Sequence, residues 1–502
     1  MRTDLDFLTS DELQGRLSMD KGGAAAADYI AREFQKAGLR PASGDSYLQR
    51  FQLEGYHSDA SASTLSLIIK GATEQLHRGK DFQGGFKNNV TVEGSIVFAG
   101  YGITAPEYSY DDYAGLDIKG RIVLVFDHEP QENDPKSVFN GQGLTRHSNR
   151  RVKSLNAERH GAVALLIADD PLRRHPGTFA PPATTATGNK TRRTAPLQAL
   201  TTDPPGIPML SVSDRIAGKL LATASETPEK WAKSVDSSLH PQSFPLPDAR
   251  AELHIVNSER REGESSNVVG LLEGSDPKLK NETIIIDAHY DHLGVANGEV
   301  YRGANDNASG SVAVMEIARA FAHSPMRPKR SLLFIVFGSE EEGLLGSYYY
   351  TNHPLRPLET TRAVLNLDMI GRNEEHIPQS RGAITVDADT SNEMQLVGVF
   401  YSPNLEKVIR GENSAVGLKI DDKFDHTGAL SVLFRCDHFP FLLHDVPAVW
   451  FFGGFHPGYH EPSDTVEKLN FPKMEKITRL AMRTAIAVAN TAVPPGFSAR
   501  TR

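Results

Sequence analysis

The spacing of apolar residues changes twice along the chain and divides it into three regions. Near the N-terminus, apolar residues recur at helical spacing over residues 23–38, which predicts an amphipathic helix. Gly38 and the following Pro41 are expected to end this helix. The residues predicted to form its apolar face are Ala27, Ile30, Ala31 and Phe34.

Residues 88–247 have a different pattern, in which short apolar runs alternate with stretches rich in turn-forming residues. The runs are SIVFAG, RIVLVF, AVALLIA and IPMLSV. This alternation is typical of a small β-rich domain. Within it, residues 169–208 are rich in Pro, Thr and Ala and predict a long surface loop.

From about Ala251 the pattern becomes that of an α/β domain. The apolar runs TIIIDA, SLLFIVF, AVLNLD and PAVWFF alternate with predicted helices over 309–321 and 473–490. Near-continuous apolar strands between helices predict a mixed, mostly parallel central sheet covered by helices. We therefore expect an α/β fold in which 1–87 and 248–502 form the main domain and 88–247 form a β-rich insert.

Composition narrows the classes of function. The 502 residues carry a net charge of −9, which argues against a nucleic-acid partner. Cys436 is the one cysteine, so an internal disulfide and a thiolate-rich metal site are excluded. No apolar run approaches the roughly 18 residues of a membrane span.

Candidate metal ligands follow the predicted strands, where open α/β sheets bind their ligands. Five such residues lie in the α/β region: His289, Asp306, Glu341, Asp368 and His460. His289 ends TIIIDAH, Asp368 ends AVLNLD, and Glu341 follows SLLFIVFGS. His460 follows PAVWFF, and Asp306 lies in the turn GANDNASG, whose glycines allow the backbone to bend sharply.

Two imidazoles and three carboxylates suit a pair of zinc ions. The formal charges also fit two zinc ions. Three carboxylates leave a net charge of +1 on two Zn²⁺ ions, and one bound hydroxide would cancel it. A zinc pair about 3.5–4 Å apart lowers the pKa of bound water from about 15.7 to about 7. Glu340 could then act as a general base, and Asp291 could orient the His289 ring. The set predicts metal-assisted hydrolysis, with peptide bonds as the expected substrate.

Each of these features also has a simple structural explanation. A His-x-Asp pair is usually a surface or core pair, the run 340–342 is acidic enough for a solvated loop, and an Asp at a strand end is often a cap. What favours a shared site is that all the features fall at strand ends within one α/β region.

Five blocks in the same order resemble the signature motifs of metallopeptidase family 28, the co-catalytic zinc aminopeptidases. The blocks are AHYDHLG, GANDNASG, GSEEEGLLGS, LNLDMIGR and YHEPSDT. The resemblance covers roughly 267–488 and the N-terminal helix, and implies a zinc-exopeptidase fold. It implies two zinc ions per chain, with His289 and Asp368 on one, Glu341 and His460 on the other, and Asp306 bridging them.

The resemblance also implies roles for residues that do not bind metal. Glu340 would be the general acid and base, Asp291 would support the ligands, and Tyr459 matches a tyrosine that can steady the oxyanion. In the block RCDHFPF, Cys436 stands where Ser is common, which leaves the contribution of Asp437 and His438 open. We expect Cys436 to be buried and unreactive.

The middle region resembles the protease-associated (PA) domain that is often inserted in these enzymes, most clearly over 97–126. It contains no recognisable catalytic set. Restricting access to the cleft and simple packing are both consistent with its sequence.

Other functions remain open on the same fold. A carboxypeptidase or dipeptidase would need a cationic pocket, for which Arg302 or Arg372 is available, and a glutaminyl cyclase would need a single zinc ion. A receptor-like binding protein is the non-catalytic alternative. Peptides are the expected partners, and the oligomeric state stays open.

The localisation expected from relatives with this insert is periplasmic or extracellular. The N-terminal residues MRTDLDFLTSDELQGR carry acids where a signal peptide has an apolar core. An exported protein whose leader lies outside this sequence is therefore expected, with a cytoplasmic protein as the alternative.

Overall fold

The computed structural model describes residues 1–173, 206–325 and 327–499, and the backbone of 197–200. The predicted loop at 169–208 therefore lies mostly outside the described residues. The helices are α1 (Arg2–Leu8), α2 (Lys21–Lys36), α3 (Arg150–Arg159), α4 (Asp214–Ala222), α5 (Pro228–Ser238), α6 (Gly310–His323), α7 (Leu345–Asn352), α8 (Pro403–Asn413), α9 (His438–Leu442) and α10 (Phe471–Asn490). Among the described helices, none combines the length and the apolar composition that a membrane span requires.

The strands range from two to 16 residues in length. They are β1 (Arg40–Pro41), β2 (Leu48–Ser58), β3 (Thr64–Ile69), β4 (Ala72–Gln75), β5 (Phe82–Gly85), β6 (Val90–Phe98), β7 (Thr104–Ala105), β8 (Tyr110–Asp111), β9 (Ile122–Phe126), β10 (Ala164–Ala168), β11 (Leu197–Leu200), β12 (Met209–Val212), β13 (Phe244–Ile255), β14 (Asn257–Leu272), β15 (Thr283–His289), β16 (Val295–Ala296), β17 (Glu299–Val300), β18 (Ser331–Phe337), β19 (Thr361–Asp368), β20 (Glu393–Val397), β21 (Lys419–Asp421) and β22 (Ala448–Phe452).

The chain folds into two compact units, and among the described residues the first contains Met1–Leu53, 198–200, 262–325 and 327–499. Its sheet has the strand order β11-β2-β14-β18-β15-β19-β22-β20-β21, with β1 paired to β14. The central strands β18, β15, β19 and β22 run parallel to one another, while β14 and β20 are antiparallel to their neighbours in this group. The predicted mixed, mostly parallel sheet is confirmed.

Helices cover both faces of this sheet because its strands are apolar on both sides. Successive strand residues point to opposite faces. Phe334 contacts Phe321 of α6 on one face, whereas Phe337 contacts Phe441 of α9 on the other. All seven residues of β15 and all seven of β18 are buried. The predicted helices over 309–321 and 473–490 are α6 and α10.

The predicted N-terminal helix is α2, and its end is explained by Gly38. The backbone of Gly38 has a φ of +78°, which glycine adopts without steric cost. Its N–H donates to the Gln35 carbonyl, and the next N–H, of Leu39, donates to the Phe34 carbonyl. This pair of bonds is a Schellman motif, which satisfies carbonyls at the helix end.

Among the described residues, the second unit contains 54–173 and 206–261. Its sheet has the order β4-β3-β13-β6-β9-β10-β12-β5. Its apolar core is built around the fully buried Trp231, whose ring contacts Phe98 and Phe126. Helices α3, α4 and α5 belong to this unit, so the region predicted as β-rich also contains three helices that the apolar runs did not reveal.

The observed boundaries differ from the predicted 1–87, 88–247 and 248–502. Strands β3, β4 and β5, which precede residue 88, pair within the sheet of the second unit. The chain leaves the first unit near Leu53 and returns near Glu262. Both crossings fall inside the continuous strands β2 and β14, so no turn residues mark them in the sequence.

Candidate metal centre

Parallel pairing of the central strands brings the candidate ligands to one edge of the sheet. His289, the last residue of β15, lies in register with Phe337, the last residue of β18. The acidic run that contains Glu340 and Glu341 follows β18 directly, and Asp368 ends the neighbouring strand β19. The expected position, beyond the carboxyl ends of the strands, is therefore the observed one.

The turn 304–309 carries Asp306 into the same place. Gly303 has a φ of +54°, and a Cβ atom there would lie 2.0 Å from the Asp306 carbonyl oxygen, so only glycine fits. The backbone N–H groups of Asn305 and Asp306 both donate to Oδ2 of Asp464, at 2.9 and 3.0 Å. Because these bonds fix the backbone of the turn, the Asp306 side chain is held against the two histidines.

The carboxylate of Asp306 lies between two imidazoles. Its Oδ1 is 3.5 Å from Nε2 of His289, and its Oδ2 is 3.1 Å from Nε2 of His460. His289 Nε2 is also 3.4 Å from Oδ1 of Asp368, and His460 Nε2 is 3.2 Å from Oε2 of Glu341. The five predicted ligands thus form two His–carboxylate groups that share Asp306.

Unpaired buried atoms in these groups fit a bound cation. Nε2 of His289 and Oδ1 of Asp368 are buried, and neither has a hydrogen-bond partner within the described part of the chain. Buried polar atoms are nearly always paired, so two unpaired atoms that face each other call for a ligand. Imidazole nitrogen and carboxylate oxygen are both common zinc donors.

The charges of the centre also fit a bound cation. Burial lowers the pKa of His460, but the carboxylates of Glu341 and Asp306 outweigh burial and raise it to about 10. Burial opposes protonation of His289 as well, and Glu340 and Asp368 raise its pKa well above the usual range. Carboxylates that hold protons on both imidazoles create a potential that a divalent cation would neutralise.

Glu340 lines the cavity beside these groups, and one of its carboxylate oxygens is also close enough to His289 and Asp368 to share a cation with them. Its Oε2 lies 3.7 Å from Nε2 of His289. Burial raises its pKa well above the usual range, and the charges of Asp437 and Glu341 add to this effect while His289 opposes it. A carboxyl group with a raised pKa holds a proton more readily than an ordinary glutamate, which suits a general acid and base.

Asp291 supports the centre differently from the prediction. Its carboxylate lies 3.8 Å from Nδ1 of His289, and the contact to this nitrogen is made instead by the Asp291 carbonyl oxygen, at 3.3 Å. The carboxylate accepts the backbone N–H groups of Glu340 and Glu341, at 3.1 and 3.2 Å. Asp291 therefore orients the His289 ring through its backbone and fixes the two glutamates through its side chain.

Tyr459 is stacked on His460, with ring centroids 3.8 Å apart, and lines the same cavity. Burial raises the pKa of its phenol well above the usual range, so the hydroxyl keeps its proton and can donate a hydrogen bond. Its predicted contact with an oxyanion stays a prediction.

Cys436 is buried, and its thiol lies 3.1 Å from Oδ2 of Asp368. Burial raises its pKa well above the usual range, and the nearby Asp368 carboxylate adds to this, which agrees with an unreactive thiol. Asp437 and His438 are also buried and do not line the cavity.

Two residues near the ligands were missed from the sequence. His292 places Nδ1 2.7 Å from Oε1 of Glu341 and 4.0 Å from Oδ2 of Asp306. It is the second histidine of AHYDHLG, so the motif itself contained the signal. Arg16 is fully buried and donates to the carbonyl oxygens of Leu8, Tyr290, Arg302 and Gly303. No local pattern indicated Arg16, because it reaches loops more than 270 residues away.

The cavity over the centre is lined by carboxylates, by apolar and aromatic side chains and by one arginine. Its lining residues include Asp306, Glu340, Glu341, Asp368 and His460, with Leu344, Met369, Phe434, Arg435, Trp450, Phe455 and Tyr459 around them. Arg302 and Arg372, the two arginines considered for a cationic pocket, are not among them. Arg302 pairs with Asp11, and Arg372 lies 3.6 Å from Glu375.

Comparison with known proteins finds a family match in each region. Residues 267–485 match the model of peptidase family M28, and residues 87–220 match that of the PA domain. The leupeptin-inactivating enzyme 1 of Streptomyces exfoliatus is 27% identical over 46% of this chain and 50% of its own length. Aminopeptidase YwaD of Bacillus subtilis is 27% identical over 42% of each chain.

An aminopeptidase of Pseudomonas aeruginosa is 33% identical over 36% of this chain and 31% of its own. The alignments thus span about half or less of the length of these curated relatives. Among solved structures, the aminopeptidase from Aneurinibacillus sp. strain AM-1 matches with a TM-score of 0.50 at 20% identity, over 98% of this chain and 93% of that one. This likeness shows a shared fold. The five candidate ligands and Glu340 all lie within residues 267–485, the region that matches the peptidase family M28 model, and the PA-domain match covers a separate region, residues 87–220.

Proposed function

We propose that this protein is a zinc-dependent aminopeptidase that removes N-terminal residues from peptides. The observation that carries the proposal is the carboxylate of Asp306, whose two oxygens face the imidazoles of His289 and His460. The match of residues 267–485 to peptidase family M28 supports a peptidase activity, and the relatives named as aminopeptidases support the preference for a free N-terminus.

Two zinc ions per chain are part of the proposal. His289 and Asp368 would hold one ion, Glu341 and His460 the other, and Asp306 would contact both. When bound, zinc supplies Lewis acidity that polarises the scissile carbonyl and makes a water molecule acidic enough to attack at neutral pH. His292 and Asp291 would keep Glu341 in position, through its carboxylate and its backbone N–H respectively.

Glu340 is the proposed proton carrier. It lines the cavity, and its backbone N–H is fixed by Asp291, so its carboxylate stays close to the reacting atoms. In the proposed reaction it takes a proton from the attacking water and gives it to the leaving amine as the peptide C–N bond breaks. General-base assistance of this kind contributes roughly 10²–10⁴-fold in rate.

Tyr459 is the proposed hydrogen-bond donor to the carbonyl oxygen of the substrate. Its ring is held by stacking on His460 and by an edge contact with Phe455, at 5.3 Å between centroids. A donor whose ring is fixed in this way requires little reorganisation as negative charge develops.

The experiment that tests the proposal compares free and blocked N-termini. Leucine p-nitroanilide and its N-acetyl derivative should be incubated with zinc-loaded protein, with chelated protein and with a Glu340→Gln variant. We expect hydrolysis of the free amine alone, loss of activity on chelation, and a loss of at least about 10²-fold in the variant. Hydrolysis of the blocked substrate, or release of ammonia from an N-terminal glutamine without peptide cleavage, would contradict the proposal.

A further inference from the structure

Arg435 introduces a positive charge into a cavity whose other charged side chains are mainly carboxylates. It follows the short helical segment 429–434 and directly precedes Cys436, whose thiol contacts Asp368. Its charge also lowers the pKa of Tyr459, partly opposing the effect of burial. The arginine therefore belongs to the wall next to the reacting groups.

The guanidinium of Arg435 is oriented but not neutralised. Its Nε donates to the carbonyl oxygen of Leu430 at 2.5 Å, which fixes one edge of the group. Throughout the described ranges, no ion pair joins it to a carboxylate within 4.0 Å, although four carboxylates line the same cavity. The terminal amino groups thus remain available to a bound molecule.

The walls around Arg435 are apolar. Phe434 and Phe455 line the cavity with Trp450, and the Phe434 ring is held by an edge contact with Phe439, at 5.0 Å. An apolar substrate group in this position would strip water from the arginine and give it no hydrogen bonds in return, which is costly. A carboxylate would accept two parallel N–H hydrogen bonds from the guanidinium and so replace the hydrogen bonds to water that the arginine loses.

We propose that Arg435 binds a carboxylate group of the substrate and thereby selects acidic substrates. The inference rests on the proposed aminopeptidase function. The carboxylate can come from two sources, which are the acidic side chain of an N-terminal Asp or Glu and the α-carboxylate of a dipeptide. Arg435 is a specificity-determining residue in this account and takes no part in proton transfer.

The first arm of the test concerns the side chain. The ratio of kcat/KM for glutamic acid α-p-nitroanilide to that for the neutral glutamine analogue should be at least about 10 in the native protein, because a bidentate charged pair is lost with glutamine. In Arg435→Met the ratio should fall to about 1, and in Arg435→Glu lysine p-nitroanilide should become the preferred substrate. Arg479→Met is the matched control, because Arg479 is exposed and pairs with Glu475 on α10. Its ratio should equal that of the native protein.

The second arm concerns the α-carboxylate. The native protein should cleave Leu-Leu at least about 10-fold better than Leu-Leu-amide if this is the source, and Arg435→Met should abolish the difference. Ratios near 1 for both pairs of substrates in the native protein, or ratios that Arg435→Met leaves unchanged, would overturn the proposal. Circular dichroism and zinc content should match among the variants, so that misfolding is excluded.

Failure of the underlying function would look different. If no substrate with a free amine is cleaved, the aminopeptidase proposal fails, but calorimetric binding of glutamate and glutamine to the zinc-loaded protein still tests Arg435. Tighter binding of glutamate that is lost in Arg435→Met would support the inference, and equal binding of both would refute it.

Discussion

The buried guanidinium of Arg16 gives the sharpest test of how the loops that carry the candidate metal ligands are held in place. Arg16 has no exposed surface, and it donates to Tyr290 at 2.6 Å, Arg302 at 2.7 Å, Gly303 at 3.0 Å and also to Leu8. Burial lowers the pKa of Arg16 to about 10, although nearby carboxylates, Asp291 most strongly, oppose this effect. The group therefore stays charged at neutral pH.

Replacement by lysine keeps the charge but places all donors on one nitrogen, which cannot span four carbonyls. At least two buried carbonyls should then lose their partner, at roughly 1–3 kcal/mol each, or about 2–6 kcal/mol in all. For domains of this size, that is a fall in Tm of at least about 4 °C. Tyr290 adjoins His289, and Gly303 opens the turn of Asp306, so zinc affinity should fall as well.

The assay is differential scanning calorimetry of metal-free protein, combined with chelator competition for zinc. Arg2→Lys is the matched control, because Arg2 lies in the same N-terminal segment and forms an exposed pair with Asp6. It should change stability by no more than about 0.5 kcal/mol. An Arg16→Lys variant that melts within about 1 °C of the control and binds zinc equally well would refute the reasoning.

Three further predictions concern single side chains. Glu340→Gln should retain zinc while kcat falls at least about 10²-fold, and loss of zinc in metal analysis would instead identify Glu340 as a ligand. His292→Gln should weaken zinc binding roughly 10–100-fold in chelator competition, because it removes the imidazole that contacts Glu341, and unchanged affinity would exclude this role. Asp4 is buried, which alone raises its pKa, but hydrogen bonds from Arg319 and Tyr29 lower the pKa to about 2. Since this is below the unfolded value of about 4, its contribution to stability is present above about pH 4 and is lost as the pH falls towards about 2. Urea unfolding of metal-free Asp4→Asn should therefore show lower stability at neutral pH and a shallower decline between about pH 4 and pH 2, and an unchanged decline would contradict the assignment.

The sequence predicted the elements that depend on local pattern. The strands β15, β18, β19 and β22 are long apolar runs, and parallel pairing necessarily brings their carboxyl ends together. For this reason the apolar runs favoured one shared site for His289, Glu341 and Asp368. Gly38 likewise marked the end of α2, because a positive φ requires glycine there.

Features that depend on distant contacts could not be predicted. The boundary between the units runs through β2 and β14, where the chain stays extended and no turn appears. Nothing in the sequence distinguishes Arg16 from other arginines, because its partners in the loops at 290 and 303 come close only when the chain folds. Arg435 directly follows the short helical segment 429–434, and no local pattern marks it, so its position in the cavity depends on packing alone.

We propose that five side chains hold two metal ions that share Asp306. The direct measurement is anomalous diffraction at the zinc absorption edge from crystals grown with zinc. We predict two peaks per chain, one between His289 and Asp368 and one between Glu341 and His460, with Asp306 in contact with both. A single peak, or zinc bound away from these residues, would contradict the account.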